Sequence, residues 1–273
     1  VSKVKPGDYV VLGWIKGTGE EAGGTRYKKE GITINAGPVT TLSEYAVVSE
    51  SRCVKLPDGV PLDLAVLFGC AIPTGAGIVT NEICLKKENS IAIFGVGGVG
   101  LSALMATRLF EPRKVIVVDV DERKLKLSEE FGATHLINSA KEEPVGAIKA
   151  ITDGMGVDYS IEAAGTTDTI EQAFRSVRTK GGLCVFASHP AVGDTIKIDP
   201  HELIRGRQIR GTWGGNCEPD RDIPRFAQLY REGKLPLGKL MSHSYTLDKI
   251  NQALDDLEGR KIVRALIEVD ANV

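Results

Sequence analysis

The chain has 273 residues, enough for a large core and for two domains, and its 34 basic against 36 acidic residues leave a formal charge of -2. With no basic block, this balance offers nothing to nucleic acid or to an anionic membrane. The longest apolar runs fall far short of the roughly 20 residues that span a bilayer and no signal-peptide core opens the chain, so a soluble protein without a membrane partner is expected.

The first 72 residues read as irregular, mainly β structure, with strands expected over Asp8–Trp14 and Leu42–Ser49 and glycine-rich, charged segments between them. From about Leu85 to Trp213 apolar strands alternate with amphipathic helices, the rhythm of a parallel sheet. The expected strands are Ile91–Phe94, Val115–Val118, His135–Ile137, Val157–Ile161, Leu183–Phe186 and Gln208–Thr212, six in all, which makes a complete doubly wound α/β sheet. Helices are expected over Gly98–Phe110, Arg123–Glu130, Pro144–Thr152, Asp168–Val177 and Pro200–Arg205, with Gly132 and Gly154 as stops. Beyond Gly214-Gly215 come helices at Ile223–Glu232 and Leu247–Leu257 and a strand at Ile262–Glu268. The economical organisation is an interrupted domain, residues 1–72 with a returning segment 218–273, around an inserted dinucleotide domain at 73–217, and a ligand cleft is expected between them.

The chemistry begins where Ile91–Phe94 runs into Gly95-Val96-Gly97-Gly98-Val99-Gly100. Gly95, Gly97 and Gly100 carry the G-x-G-x-x-G spacing, whose glycines permit a tight turn, close approach of a pyrophosphate and packing of helix on strand. Amides at the helix start would then face the phosphates. Alone, the glycines would favour an ordinary strand-to-helix turn, but the next apolar run ends at Asp119, 19 residues after Gly100, where a ribose-binding acid belongs. A carboxylate there accepts both ribose hydroxyls of NAD and repels the extra phosphate of NADP, and Asp121 and Glu122 add to that repulsion. Arg123 and Lys124 keep NADP open as the alternative; NAD is the expected cofactor.

Several separate motifs carry a family resemblance. Val4-Lys5-Pro6-Gly7-Asp8, Ser43-Glu44-Tyr45-Ala46-Val47-Val48 and Leu67-Phe68-Gly69-Cys70-Ala71-Ile72-Pro73-Thr74-Gly75 precede the glycine turn, and Glu162-Ala163-Ala164-Gly165 and Lys261-Ile262-Val263-Arg264-Ala265 follow it. Together with Phe94–Gly100, they resemble the medium-chain, zinc-type alcohol dehydrogenase family from Val4 to about Val269. The resemblance implies a Rossmann domain, a partial GroES-like catalytic domain, and hydride exchange between NAD and a small alcohol or its aldehyde or ketone, with zinc as the Lewis acid. By the same resemblance, the pyrophosphate belongs on Gly97-Gly98-Val99, the adenosine ribose on Asp119 with Val120 and Lys124 beside it, and a phosphate on Arg264. Thr74 belongs against the nicotinamide, Ala164 and Gly165 flank the cofactor, and Ala187-Ser188-His189 offer backbone hydrogen bonds to the carboxamide. For His189 the alternative is a proton donor in a zinc-free site; for Arg264 it is a solvated surface cation. Thr195–Ile198 is the candidate edge strand for a symmetric homodimer.

The chain also departs from its family. The segment that brings a first cysteine ligand and the G-H-E histidine is not present, which leaves Cys70 as the one candidate zinc ligand where a catalytic site needs about three. His135, His189, His201 and His243 do not match the missing positions, so Cys70 reads as a vestigial or incomplete ligand, or as a small buried residue. Gly13–Gly19 stands where relatives carry a four-cysteine zinc lobe, so structural zinc is not expected. Cys53, Cys70, Cys84, Cys184 and Cys217 are scattered without a C-x-x-C pair, which favours a reducing cytoplasm. Val1 in place of methionine leaves a processed piece, a fragment, omitted segments and a natural truncation all open. Two functions compete: a dehydrogenase whose zinc ligands lie on sequence outside these residues, and a non-catalytic NAD(H)-binding protein with a truncated catalytic domain. Substrate identity stays open, with Trp14 and Trp213–Asn216 as hints of a cleft boundary.

Overall fold

In the computed structural model, which describes residues 1–241, 243–259, 261–262 and 264–269, the chain divides into two compact units. One comprises Val1–Pro73 and Glu218–Val273, the other Thr74–Cys217.

In the first unit the strand expected over Asp8–Trp14 narrows to β1 (Val10–Leu12). It is followed by a hairpin of β2 (Thr25–Lys29) and β3 (Ile32–Gly37). The hairpin's two linking residues, Glu30 and Gly31, both have positive φ (49° and 80°), the backbone that a type I′ turn requires. β4 (Cys53–Lys55) pairs antiparallel with β1 and sets buried Val54 opposite buried Val11.

The strand expected at Leu42–Ser49 does not form. Leu42, Tyr45 and Val47 are exposed, and Val47 spends its backbone groups on side chains: its N–H donates to the Tyr27 hydroxyl (2.9 Å) and its carbonyl accepts from Thr25 Oγ1 (2.6 Å). The N-terminal stretch is tied down by Glu50, whose carboxylate accepts from the backbone N–H groups of Ser2, Lys3 (2.6 Å) and Glu20 (3.1 Å). Those donors, Lys3 foremost, hold the Glu50 carboxyl down at about 2.

α1 (Leu62–Ala65) and a single 3₁₀ turn lead to α2 (Ala71–Gly77). Cys70, with φ -152° and ψ -65°, interrupts the two helical segments.

The second unit is built on the sheet. β5 (Ser90–Phe94) is buried at every position. After it come α3 (Gly98–Thr107), β6 (Lys114–Asp119), α4 (Glu122–Glu130), β7 (His135–Asn138), α5 (Pro144–Ile151) and β8 (Tyr159–Glu162). α6 (Thr167–Ser176), β9 (Leu183–Phe186), α7 (Pro200–Ile204) and β10 (Gln208–Gly211) complete the unit. All sheet pairings are parallel and the spatial order is β10-β9-β8-β5-β6-β7, the doubly wound order with its switch between β5 and β8.

Alternation along the strands divides the core between the two faces of the sheet. Ala92, Phe94, Ile116 and Val118 point toward Ile148 of α5 and Ala173 and Phe174 of α6. Ile93 points the other way, toward Gly100 on α3, a helix buried along nearly its whole length. Thr195–Ile198 joins no ladder among the described residues; the Lys197 N–H donates to Glu171 Oε1 (2.8 Å) and Ile198 packs against the core.

The returning segment begins with α8 (Pro219–Arg231), earlier than expected because Pro219 suits a first helical turn. It continues through β11 (His243–Thr246), α9 (Ile250–Glu258) and β12 (Ala265–Glu268), the two strands pairing in parallel. The last strand is shorter than the expected Ile262–Glu268, and Val263 lies outside the described residues.

Candidate cofactor site

At Gly95 and Gly100 the glycine turn at the end of β5 is set by backbone contacts that leave no space for side chains. Gly95 has φ +83°, and a Cβ on it would lie 2.6 Å from both N and Cα of Ala164. A Cβ on Gly100 would land on the carbonyl oxygen of Gly95. Gly97 differs, since a Cβ there meets no other atom within 4 Å. Gly97 is also the N-cap of α3 and offers no side chain to the first turn, which contains no acidic residue. The amides of Gly98, Val99 and Gly100 thus head the helix at its positive end, where the first turn has no intrahelical acceptors.

Asp119, at the end of β6, is clamped to this turn. Its Oδ2 accepts from the Val96 N–H (2.8 Å) and its Oδ1 from the Asp121 N–H (2.9 Å), and each oxygen keeps a further lone pair for a ligand hydroxyl. Asp121 caps α4 and pairs with Arg123 (Nη2 to Oδ2, 2.9 Å), which lowers the acid's pKa and raises that of the guanidinium. Val120 is exposed beside them, and Lys124 lies half-buried on α4.

Thr74 comes close to the start of α3 because Gly75 lets α2 pack onto it. A Cβ on Gly75 would land on the Val99 carbonyl oxygen and lie 2.8 Å from the Ala103 nitrogen. Thr74 is 5% exposed, and its Oγ1 is buried without a hydrogen-bond partner. An orphaned buried hydroxyl costs about 1–3 kcal/mol.

The turn after β8 holds Ala164 and Gly165, whose N–H groups both donate to Glu162 Oε1 at 2.8 Å. After β9, the Ala187 N–H is already spent on the Glu162 carbonyl (2.9 Å), and Ser188 Oγ donates to Glu162 Oε2. The His189 ring meets Trp213 edge to face, with centroids 5.9 Å apart.

The second unit therefore brings together Gly95–Gly100, Asp119, Ala164 and Gly165 by direct contact, and Thr74 through Gly75. Cys70 and Arg264 belong to the first unit; Cys70 is an exposed residue, so the small-buried-residue alternative does not hold. Reading the sequence for chemistry missed Gly75 and Glu162 as organisers, although both lie inside quoted motifs.

Two groups can be tested against these residues. The open cradle over Gly97, the side-chain-free helix start and the orphaned Thr74 hydroxyl fit a dinucleotide. Zinc does not fit, because no group of three or more His, Cys, Asp or Glu residues able to hold a metal occurs among the described residues.

A parallel six-stranded sheet in this order, with its glycine turn at the switch point, defines an α/β unit of the Rossmann class. Residues 98–232 match the zinc-binding dehydrogenase family. The chain is 33% identical over 260 residues to alcohol dehydrogenase class-P of Arabidopsis thaliana, covering 92% of this chain and 68% of that protein. Identity to alcohol dehydrogenase 1 of Trifolium repens is also 33%, over 85% of this chain and 61% of the relative. The chain thus spans about three fifths to two thirds of the length of these relatives. Among solved structures, benzyl alcohol dehydrogenase of Acinetobacter calcoaceticus superposes with a TM-score of 0.84 at 29% identity, over 99% of this chain and 80% of that one. An alcohol dehydrogenase zinc-binding domain protein of Burkholderia ambifaria gives 0.76 at 35%, over 82% and 60%. The chain belongs to the medium-chain, zinc-type alcohol dehydrogenase family.

Proposed function

We propose that the chain is an NAD-dependent oxidoreductase that exchanges a hydride between NAD and a small alcohol or its aldehyde or ketone. The observation that carries this reading is the glycine turn, open above Gly97 and clamped to Asp119. When bound, NAD supplies the hydride acceptor, or as NADH the donor. The chain's own residues do the holding. Amides of Gly98, Val99 and Gly100 receive the pyrophosphate, Asp119 takes the adenosine ribose hydroxyls, and Val120, Ala164 and Gly165 line the adenosine end, with Lys124 beside it. Thr74 Oγ1 is the hydroxyl for the nicotinamide end, where Ser188 and His189 also lie. Arg264 is the phosphate cation of this reading, on the strength of the family resemblance alone.

No step is routed through zinc, since the described residues do not form its site. The alternative reading of the same cofactor site is a non-catalytic NAD(H)-binding protein. Titration with NADH followed by protein fluorescence, then an alcohol panel assayed for NAD reduction with and without added zinc, separates the two. Binding with turnover supports the enzyme, binding without turnover supports the second reading, and absence of binding removes both.

A cytoplasmic setting, supported by the scattered cysteines, and a homodimer pairing through Thr195–Ile198, a stretch that joins no ladder among the described residues, belong to the same proposal. Among the described residues no single helix is long and apolar enough to cross a membrane. Sedimentation velocity tests the dimer.

A further inference from the structure

Glu162 is the last residue of β8 and is 0% exposed. Its Oε1 accepts from the N–H groups of Ala164 and Gly165 and from Thr169 Oγ1, all at 2.8 Å, and its Oε2 accepts from Ser188 Oγ. All four donors are neutral. Burying a carboxyl group is costly even when its partners are good, and an apolar residue fills a core more cheaply. What the carboxylate adds is direction, because it fixes two separate loops to one rigid strand end.

Those loops have distinct places in the proposed cofactor site. Ala164–Gly165 packs on Gly95, where only a hydrogen fits, so any shift of that turn reaches the phosphate cradle. Thr169 also closes the capping box of α6 with Thr166, which ties the helix to the same carboxylate. Ser188 stands in the stretch after β9 that leads to His189. The split of the two oxygens therefore follows the two ends of a dinucleotide.

We propose that Glu162 is a positioning residue: through Oε1 it sets the wall for the adenosine end, and through Oε2 and Ser188 the wall for the nicotinamide end, so that one carboxylate fixes their separation. This rests on the NAD reading above. The test compares NADH with ADP-ribose, which lacks the nicotinamide, by titration of purified variants. Ser188→Ala cuts one strap, and loss of one hydrogen bond predicts NADH binding weaker by about 3–10-fold with ADP-ribose binding changed by less than about 2-fold. Glu162→Ala weakens both ligands. Glu162→Gln restores binding, since the Ser188 hydroxyl can turn to accept from the amide while Oε1 keeps its three donors.

Equal losses for both ligands in Ser188→Ala, or no loss for either, would overturn the inference. So would a Glu162→Gln that binds no better than Glu162→Ala. If Glu162→Ala does not fold, Ser188→Ala and Glu162→Gln still decide. Wild-type protein that binds neither ligand would remove the NAD reading itself, an outcome distinct from variants that fail to discriminate.

Discussion

Asp119 Oδ2 accepts the Val96 N–H at 2.8 Å, so the acid that ends the second strand of the sheet is bonded to the glycine turn that ends the first. On the proposed function, the acid that takes the ribose and the brace of the glycine turn are one side chain.

Replacing that side chain therefore removes two things at once. Asp119→Ala is expected to weaken NADH by roughly tenfold or more, since hydrogen bonds to a charged group contribute about 1.5–3 kcal/mol each. Affinity for NADPH is not expected to rise in step, because Arg123 is held by Asp121. The double variant Asp119→Ser with Asp121→Ala leaves Arg123 without that carboxylate and is expected to bind NADPH more tightly than Asp119→Ser alone. Equal NADPH affinities would count against this role for Asp121.

The glycines separate packing from binding. Gly100→Ala forces a methyl onto the Gly95 carbonyl, and overpacking of this kind costs about 1–3 kcal/mol, visible as a lowered Tm. Gly97→Ala adds its methyl to open space and should leave Tm nearly unchanged while reducing NADH affinity by roughly tenfold, about 1.4 kcal/mol. Thermal melts with NADH titrations of the same two proteins check the contrast.

Thr74 predicts opposite signs for stability and binding. Thr74→Val removes a buried hydroxyl that has no partner and should stabilise the ligand-free protein by about 1 kcal/mol. NADH affinity should fall in the same variant. Urea denaturation with and without NADH measures both effects.

Acid stability should carry the mark of Glu50. Its folded pKa of about 2 lies below the ordinary 4.5, so its contribution is complete above the unfolded value and disappears as pH falls from about 4.5 toward 2. Glu50→Gln should be the less stable protein at pH 7, with the gap to wild type closing across that interval. A gap constant from pH 7 to pH 2 would argue that the ionised carboxylate is not what Ser2, Lys3 and Glu20 require.

Cysteine labelling gives a probe of the sheet. Burial pushes the Cys184 thiol up to about 12, so it should resist alkylation in the native protein and react only on unfolding, whereas the exposed Cys70 should label in the native state. Peptide mass spectrometry after brief iodoacetamide treatment reads the difference.

The sheet and the turn were legible because their signals are local. β5 and β6 are short, largely apolar runs with both faces buried, and the glycine spacing follows β5 directly. The hairpin at Thr25–Gly37 was not legible: Thr-Arg-Tyr-Lys-Lys has no apolar alternation, and its turn depends on Glu30 accepting a positive φ. Leu42–Ser49 looked like a strand by composition but has no backbone ladder partner among the described residues, a fact that resides in Tyr27 and Thr25. In the site, Asp119 followed from its distance to Gly100. The part of Glu162 did not, since it depends on donors as far along the chain as Ser188.

The open space above Gly97 has one further consequence. A seat lined by peptide amides contains nothing that titrates, oxidises or takes a phosphate, so its grip on an anion should change little with pH or redox state. Substitution within the seat itself can damage it only by adding atoms, and tuning of the site must come from its neighbours.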